Sequence, residues 1–392
     1  MPKFNALATK YVFLLSSIWV LGLAGDVFVA PLLPELVRYF HTTDTEAKLA
    51  ISLFILGKTV SMFICSPISE SFSRRHFIYL GLGAFASGSA LCLFAPGINT
   101  LLIGRFLQGF GVSINILMGR SVINDNFSSK FATIAFSYIF AINAIIVVLL
   151  PILGGYIATL YGVTGTFLCF FIYSLFTLMG IYFFLPKQTT QTLHLSAKLL
   201  VERYRTLVIN RQFWGFVLAC AFMTAGEKAY LTSSPFLFKL AGLSQIEYGY
   251  INAVIWSAHL LGTLACGLLI RKMSFHSVVR LGVILLGAPA LLLLVNAGFG
   301  MHSFVIFMSL MFVFMLGTGF FITLTAVGIV QPFPTLIGFA TAFGMCLEFV
   351  TSTLSSSLIS YLPSTIINSS LLIGAMGCLA FVAWYKLIEN AA

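Results

Sequence analysis

The chain has 392 residues, 59% hydrophobic and 15% aromatic but only 8% charged, with a formal net charge of +10 and a mean hydropathy of +1.03. A soluble domain carries about 25% charged residues, so a soluble enzyme is excluded; apolar runs of about 20 residues without strict alternation exclude a β-barrel and leave an all-α, multi-pass membrane protein. The basic residues lie in short loops between apolar runs, a pattern of membrane topology rather than nucleic-acid binding, and all seven cysteines fall in apolar stretches with neither zinc nor disulfide spacing.

Twelve spans are predicted: 11–33, 46–68, 77–96, 99–121, 132–158, 164–185, 213–237, 246–270, 277–299, 303–330, 335–361 and 365–388. The first span is too long for a signal-peptide core and is read as a retained helix. Spans 132–158 and 335–361 exceed a straight crossing, and Pro151 offers a kink in the former. With both termini in the cytoplasm, fifteen of the 21 Lys and Arg fall on inner segments and three on outer ones, the rest lying inside spans. That asymmetry fixes the orientation, and the compact loops suit a cell inner membrane.

The longest loop, 186–212, separates a six-span half (1–185) from another (213–392). Within it Leu195, Leu199, Leu200, Leu207 and Val208 alternate with Lys198, Arg203, Arg205 and Arg211, as in a basic amphipathic helix on the inner leaflet. A passive linker is the plainer reading of the same residues.

Six charges lie inside the spans: Asp26, Lys58, Arg105, Glu227, Lys228 and Glu348. On insertion scales each costs about 2.5–3.5 kcal/mol at a helix centre, so such residues are rare unless paired or used. His259, in the eighth span, adds an imidazole, whose ordinary titration lies near neutral pH; a packing histidine is the alternative. The abundant Phe suits amphipathic ligands but equally suits lipid and core. No metal cluster, nucleophile elbow or phosphate loop appears, so neither an enzyme nor a cofactor is expected.

Between the second and third spans stands Ser66-Pro67-Ile68-Ser69-Glu70-Ser71-Phe72-Ser73-Arg74-Arg75. It is similar to G-P-L-A-D-S-F-G-R-R, with Ser66 and Ser73 for the glycines and Glu70 for the acid. A fainter echo, Cys266-Gly267-Leu268-Leu269-Ile270-Arg271-Lys272, follows about 200 residues later, as a parallel internal repeat would. Gly104-Arg105-Phe106-Leu107-Gln108-Gly109 carries R-x-x-Q-G, with Arg120 and Asp125 beyond it; Leu150-Pro151-Ile152-Leu153-Gly154-Gly155 is close to G-P-x-x-G-G; and Asp26 precedes Pro31 and Pro34 at the end of the first span. On these motifs the chain resembles the major facilitator superfamily, and within it the Bcr/CflA-type drug:proton antiporters.

The resemblance implies two six-helix bundles working by alternating access, with proton-coupled export of a small molecule and no partner beyond substrate, protons and lipid. It implies a monomer, with Asp26 and Arg105 as the coupling pair, since burial favours a neutral carboxyl and a nearby guanidinium an ionised one. A permanent structural ion pair is the alternative. Glu70, Arg74, Arg75, Arg120 and Asp125 would form a conformational latch, or merely anchor topology. Pro151, Gly154 and Gly155 would be the helix-five motif.

Lys58, Glu227, Lys228 and Glu348 fall where the family is usually uncharged, and with His259 they are assigned to the substrate cavity. Lys58 there either competes with Arg105 for Asp26 or attracts an anion. Three acids and three bases within the spans make a polar, zwitterionic or anionic metabolite a rival to lipophilic drugs. A transport-inactive sensor or scaffold is the remaining class.

Overall fold

The computed structural model describes residues 6–68, 73–126, 129–185, 197–300, 302–334 and 336–388. Among them the regular structure is entirely helical. The helices are α1 (Ala6–Val27), α2 (Leu33–Phe40), α3 (Asp44–Ile68), α4 (Arg74–Leu93), α5 (Ile98–Asn126), α6 (Ser129–Phe184), α7 (Ala197–Ile209), α8 (Arg211–Leu240), α9 (Gln245–Leu269), α10 (Phe275–Gly298), α11 (Phe304–Val330), α12 (Ile337–Tyr361) and α13 (Ile366–Leu387). They divide into two compact units, α1 to α6 and α7 to α13.

Length and composition make ten of the helices fit to cross a membrane, and the bent pair α7 and α8 an eleventh span. The twelfth is hidden in α6. Its 56 residues would reach about 84 Å as one rod, well over twice a hydrocarbon core of about 30 Å. Helical dihedrals fail inside it at Gly162 (φ 60°, ψ −150°), a backbone region open essentially to glycine alone. This break falls between the predicted spans 132–158 and 164–185. Pro151 stays within the helix, and the break comes eleven residues later, where the backbone itself forbids a helix.

The first span also differs from expectation, which ended it at residue 33. After α1 the chain makes a short 3-10 turn at Ala30–Leu32 and continues as α2, with Pro31 and Pro34 each in a first turn, where a missing N–H costs no hydrogen bond. His41, in the left-handed region at φ 51°, closes it.

Packing in the two units repeats. In the first, α3 and α5 cross so closely that a Cβ on Gly57 would lie 2.1 Å from the carbonyl oxygen of Phe106, and one on Gly109 would lie 1.9 Å from that of Phe54. In the second, α9 and α11 cross the same way: a Cβ on Gly262 would lie 2.1 Å from the Leu316 oxygen, and one on Gly319 would lie 1.9 Å from the His259 oxygen. Each glycine sits three residues after the partner of the other, so the crossings match residue for residue. Phe54 therefore corresponds to His259, Arg105 to Met315 and Gln108 to Thr318.

The predicted basic helix exists as α7, preceded by residues 186–196, which lie outside the described ones. Its neighbour α8 turns from it by 82°. Leu207 is fully buried with Phe213, Val217, Phe333 and Ala340, and Tyr204 packs edge-on against Phe339 and Phe343. So α7 belongs with the second unit.

Candidate functional site

In the first unit three helices converge on one phenyl ring. Asp26 ends α1 and is buried, and its Oδ2 lies 2.8 Å from Nζ of Lys58 on α3. The same ammonium approaches the carbonyl of Gly22 at 3.4 Å and sits 4.4 Å from the centre of the Phe54 ring, one turn earlier on α3. Arg105 of α5, fully buried, lies 4.4 Å from that ring as well.

The Arg105 guanidinium serves three segments. Nε donates to the Ala50 carbonyl (3.0 Å), Nη1 to Oε1 of Gln108 (2.7 Å) and Nη2 to the Gly25 carbonyl. Gln108 in turn donates to Oγ of Ser89 on α4 (2.8 Å). Gly25 is required here, because a Cβ on it would fall 2.1 Å from the Phe54 ring.

The expected Asp26–Arg105 pair therefore takes a different form. The direct ion pair is Asp26 with Lys58, while Arg105 acts on Asp26 electrostatically and holds its turn of α1 through Gly25. The chemistry available is a carboxylate in a shell of two cations and a π face, whose charge state and ammonium contact can change together.

The helix-five residues adjoin this turn. A Cβ on Gly154 would lie 2.4 Å from the carbonyl oxygen of Phe28, two residues beyond Asp26. Pro151 and Gly155 are buried on the same helix, and the Gly155 carbonyl accepts from Thr159 at 2.8 Å.

In the second unit Glu227 and Lys228 of α8 pair directly, Oε1 to Nζ 3.1 Å, both largely buried. Adjacent helical residues point about 100° apart, so the contact exists because the long lysine stem curls back. Glu348 of α12 stands 4.0 Å from Sγ of Cys220, which lies two turns before Glu227 on α8. Both carboxylates act on that thiol. His259 of α9 meets Thr318 of α11, Nδ1 to Oγ1 3.0 Å, and feels the charges of Glu227 and Lys228. Around them α12 presents hydroxyls to α8: Thr351 donates to the Ala221 carbonyl and Ser355 to that of Ala225.

The latch residues separate. Arg74 pairs with Asp125, Nε to Oδ2 3.1 Å, tying the start of α4 to the end of α5. Arg75 instead donates to the hydroxyl of Tyr79 (2.6 Å) and the carbonyl of Tyr182 (2.9 Å). Arg120 lies 5.9 Å over the Trp19 ring, and Glu70 lies outside the described residues. Among those residues no group of His, Cys, Asp and Glu could hold a metal.

Phe54, Ser89 and Thr318 complete these networks and were missed in the sequence. One of forty phenylalanines carries no mark; the one available signal was that Phe54 precedes Lys58 by four residues, one helical turn.

The Major Facilitator Superfamily model matches residues 14–356. An uncharacterized MFS-type transporter of Bacillus subtilis (strain 168) is 25% identical over 284 residues, 69% of each chain. Multidrug resistance protein D of Escherichia coli (strain K12) is 23% identical over 370 residues, 93% of this chain and 92% of that one. Among solved structures, a D-xylose-proton symporter superposes with a TM-score of 0.77 at 16% identity, covering 97% of both chains, a likeness of fold.

Proposed function

The chain belongs to the major facilitator superfamily, and on that premise we propose that it is a proton-coupled secondary transporter exporting a small molecule by alternating access. The observation that carries this reading is the buried Asp26–Lys58 pair beside Arg105. Burying such a pair costs desolvation energy, and charges inside membrane spans are kept where they serve a task. Its three helices meet at one ring, so proton arrival at Asp26 would loosen Lys58 and shift α1 against α3. The name of the Escherichia coli relative, multidrug resistance protein D, supports drugs as cargo, and the cytoplasmic bias of the basic residues suits a cell inner membrane. The protein would act as a monomer, with Arg74–Asp125 serving as the latch at the cytoplasmic ends of α4 and α5.

A second reading of the cargo is favoured by Glu227–Lys228 and Glu348. An acid–base pair within the membrane matches the charges of a zwitterionic or anionic metabolite better than those of a lipophilic cation. Proteoliposomes with an imposed pH gradient test both. Ethidium and chloramphenicol represent drugs, and an amino-acid mixture represents zwitterions. Proton-driven accumulation of any of them, abolished in D26N while the variant remains folded, supports the reading. Accumulation indifferent to the gradient, or intact in D26N, removes proton coupling through Asp26.

A further inference from the structure

The matched helix crossings place His259 in the second unit where Phe54 stands in the first. In the first unit that place is flanked by two permanent cations, Lys58 and Arg105. At the Arg105-equivalent place α11 offers Met315, and α11 as a whole contains no ionisable residue. The imidazole is thus the group at this crossing that can acquire a positive charge.

Hydrogen bonding favours one way of doing so. Thr318 Oγ1 has a single proton, and the Met315 carbonyl lies within reach of it at 2.8 Å. With the proton there, Thr318 accepts from His259 Nδ1, 3.0 Å away, so the neutral ring carries its hydrogen on Nδ1 and its lone pair on Nε2. The other tautomer would take the Thr318 proton away from the Met315 carbonyl. Trp256, one turn earlier on α9, lies beside the ring at 5.8 Å between centroids.

From α8 the charges acting on the imidazole are Glu227 and Lys228, one acid and one base already paired with each other. With both ionised, a proton on Nε2 would make the trio net positive by one. The imidazolium would then compete with Lys228 for the Glu227 carboxylate.

We propose that His259 is a second proton-binding site, taking the proton on Nε2 while Thr318 holds Nδ1–H, and that its charge regulates the Glu227–Lys228 pair. Its bearing on transport rests on the proton-coupled reading above; its protonation does not.

Nitrogen-15 NMR of histidine-labelled protein tests the site without any substrate. The variant H41N/H76Q/H194Q/H276Q/H302Q leaves His259 as the sole histidine, and a difference spectrum between the full chain and H259N serves if that variant misfolds. The expected neutral spectrum has Nδ1 protonated and Nε2 bare, and lowering the pH adds a proton at Nε2. T318V should erase the tautomer preference. An Nε2–H tautomer, or a ring still neutral at the lowest pH at which the protein stays folded, overturns the proposal. In the proteoliposome assay H259N keeps an amide donor for Thr318 but cannot titrate, so the pH profile of gradient-free exchange should change, leaving the part that Asp26 carries. A pH profile unchanged in H259N would remove His259 from transport while leaving Asp26 coupling intact.

Discussion

At Lys58 the ammonium carries three contacts at once: Asp26, the Gly22 carbonyl and the Phe54 ring. Removing one member of a buried pair leaves the other charge in the interior, at a cost of about 3–5 kcal/mol. K58M should therefore lower the thermal midpoint strongly, and K58M/D26N should recover part of the loss. A double-mutant cycle should show coupling of at least about 1 kcal/mol; additive losses would mean the contact contributes nothing. Arg105 poses a different test, because its planar fork reaches Ala50, Gln108 and Gly25 simultaneously. A lysine there keeps the charge but cannot span three acceptors, so R105K should cost about 2 kcal/mol or more in denaturant stability. Which residues would be charged within the membrane was plain in the sequence, since each interrupts an apolar run. Their partners were legible only as alternatives, with Lys58 standing as a competitor of Arg105 for Asp26. The choice of Lys58 for Asp26, and of Thr318 for His259, depends on how helices 32 and 59 residues apart in sequence rotate against each other.

At the scale of helices, close crossings replace large side chains as the organising device. A methyl group on Gly319 would collide with the backbone of α9 rather than with a movable side chain. G319A should therefore force α9 and α11 apart, at about 1–3 kcal/mol. Gly83 of α4 is the control: a Cβ there meets nothing within 4 Å, so G83A should be neutral or stabilise by up to about 1 kcal/mol through helix propensity. Thermal unfolding in one detergent compares the two, and equal effects would sink the crossing argument. Span positions were legible because hydropathy over 20 residues is a property of sequence alone. The boundary inside α6 was legible too, between residues 158 and 164, but not that the single residue Gly162 makes it through a dihedral angle that composition does not specify. Likewise α7 was legible as basic and amphipathic, but not its attachment to α8 and α12, which depends on Tyr204 and Leu207 finding an aromatic cluster.

For the whole molecule, the repeat and the charge pattern bear on each other. Gly57 of α3 matches Gly262 of α9, and each helix is followed by a basic pair, Arg74–Arg75 or Arg271–Lys272. Six spans lie between the two basic pairs, an even number, so both pairs must emerge on the same side of the membrane. Basic residues are held on the cytoplasmic side, so the two pairs reinforce a single orientation. A chain with all seven cysteines replaced by serine or alanine provides the background for a direct measurement. On it, M273C follows α9, S73C precedes α4, and A241C lies in the turn before α9. A membrane-impermeant maleimide added to intact cells should label A241C alone, and permeabilised cells should show labelling of M273C and S73C. Labelling of M273C but not S73C from outside would break the parity and mean that one half carries an odd number of spans. The bend at Gly162 would then not separate two crossings. Labelling of both from outside would instead invert the chain and place Arg74–Asp125 on the outer face, where it could not act as a cytoplasmic latch.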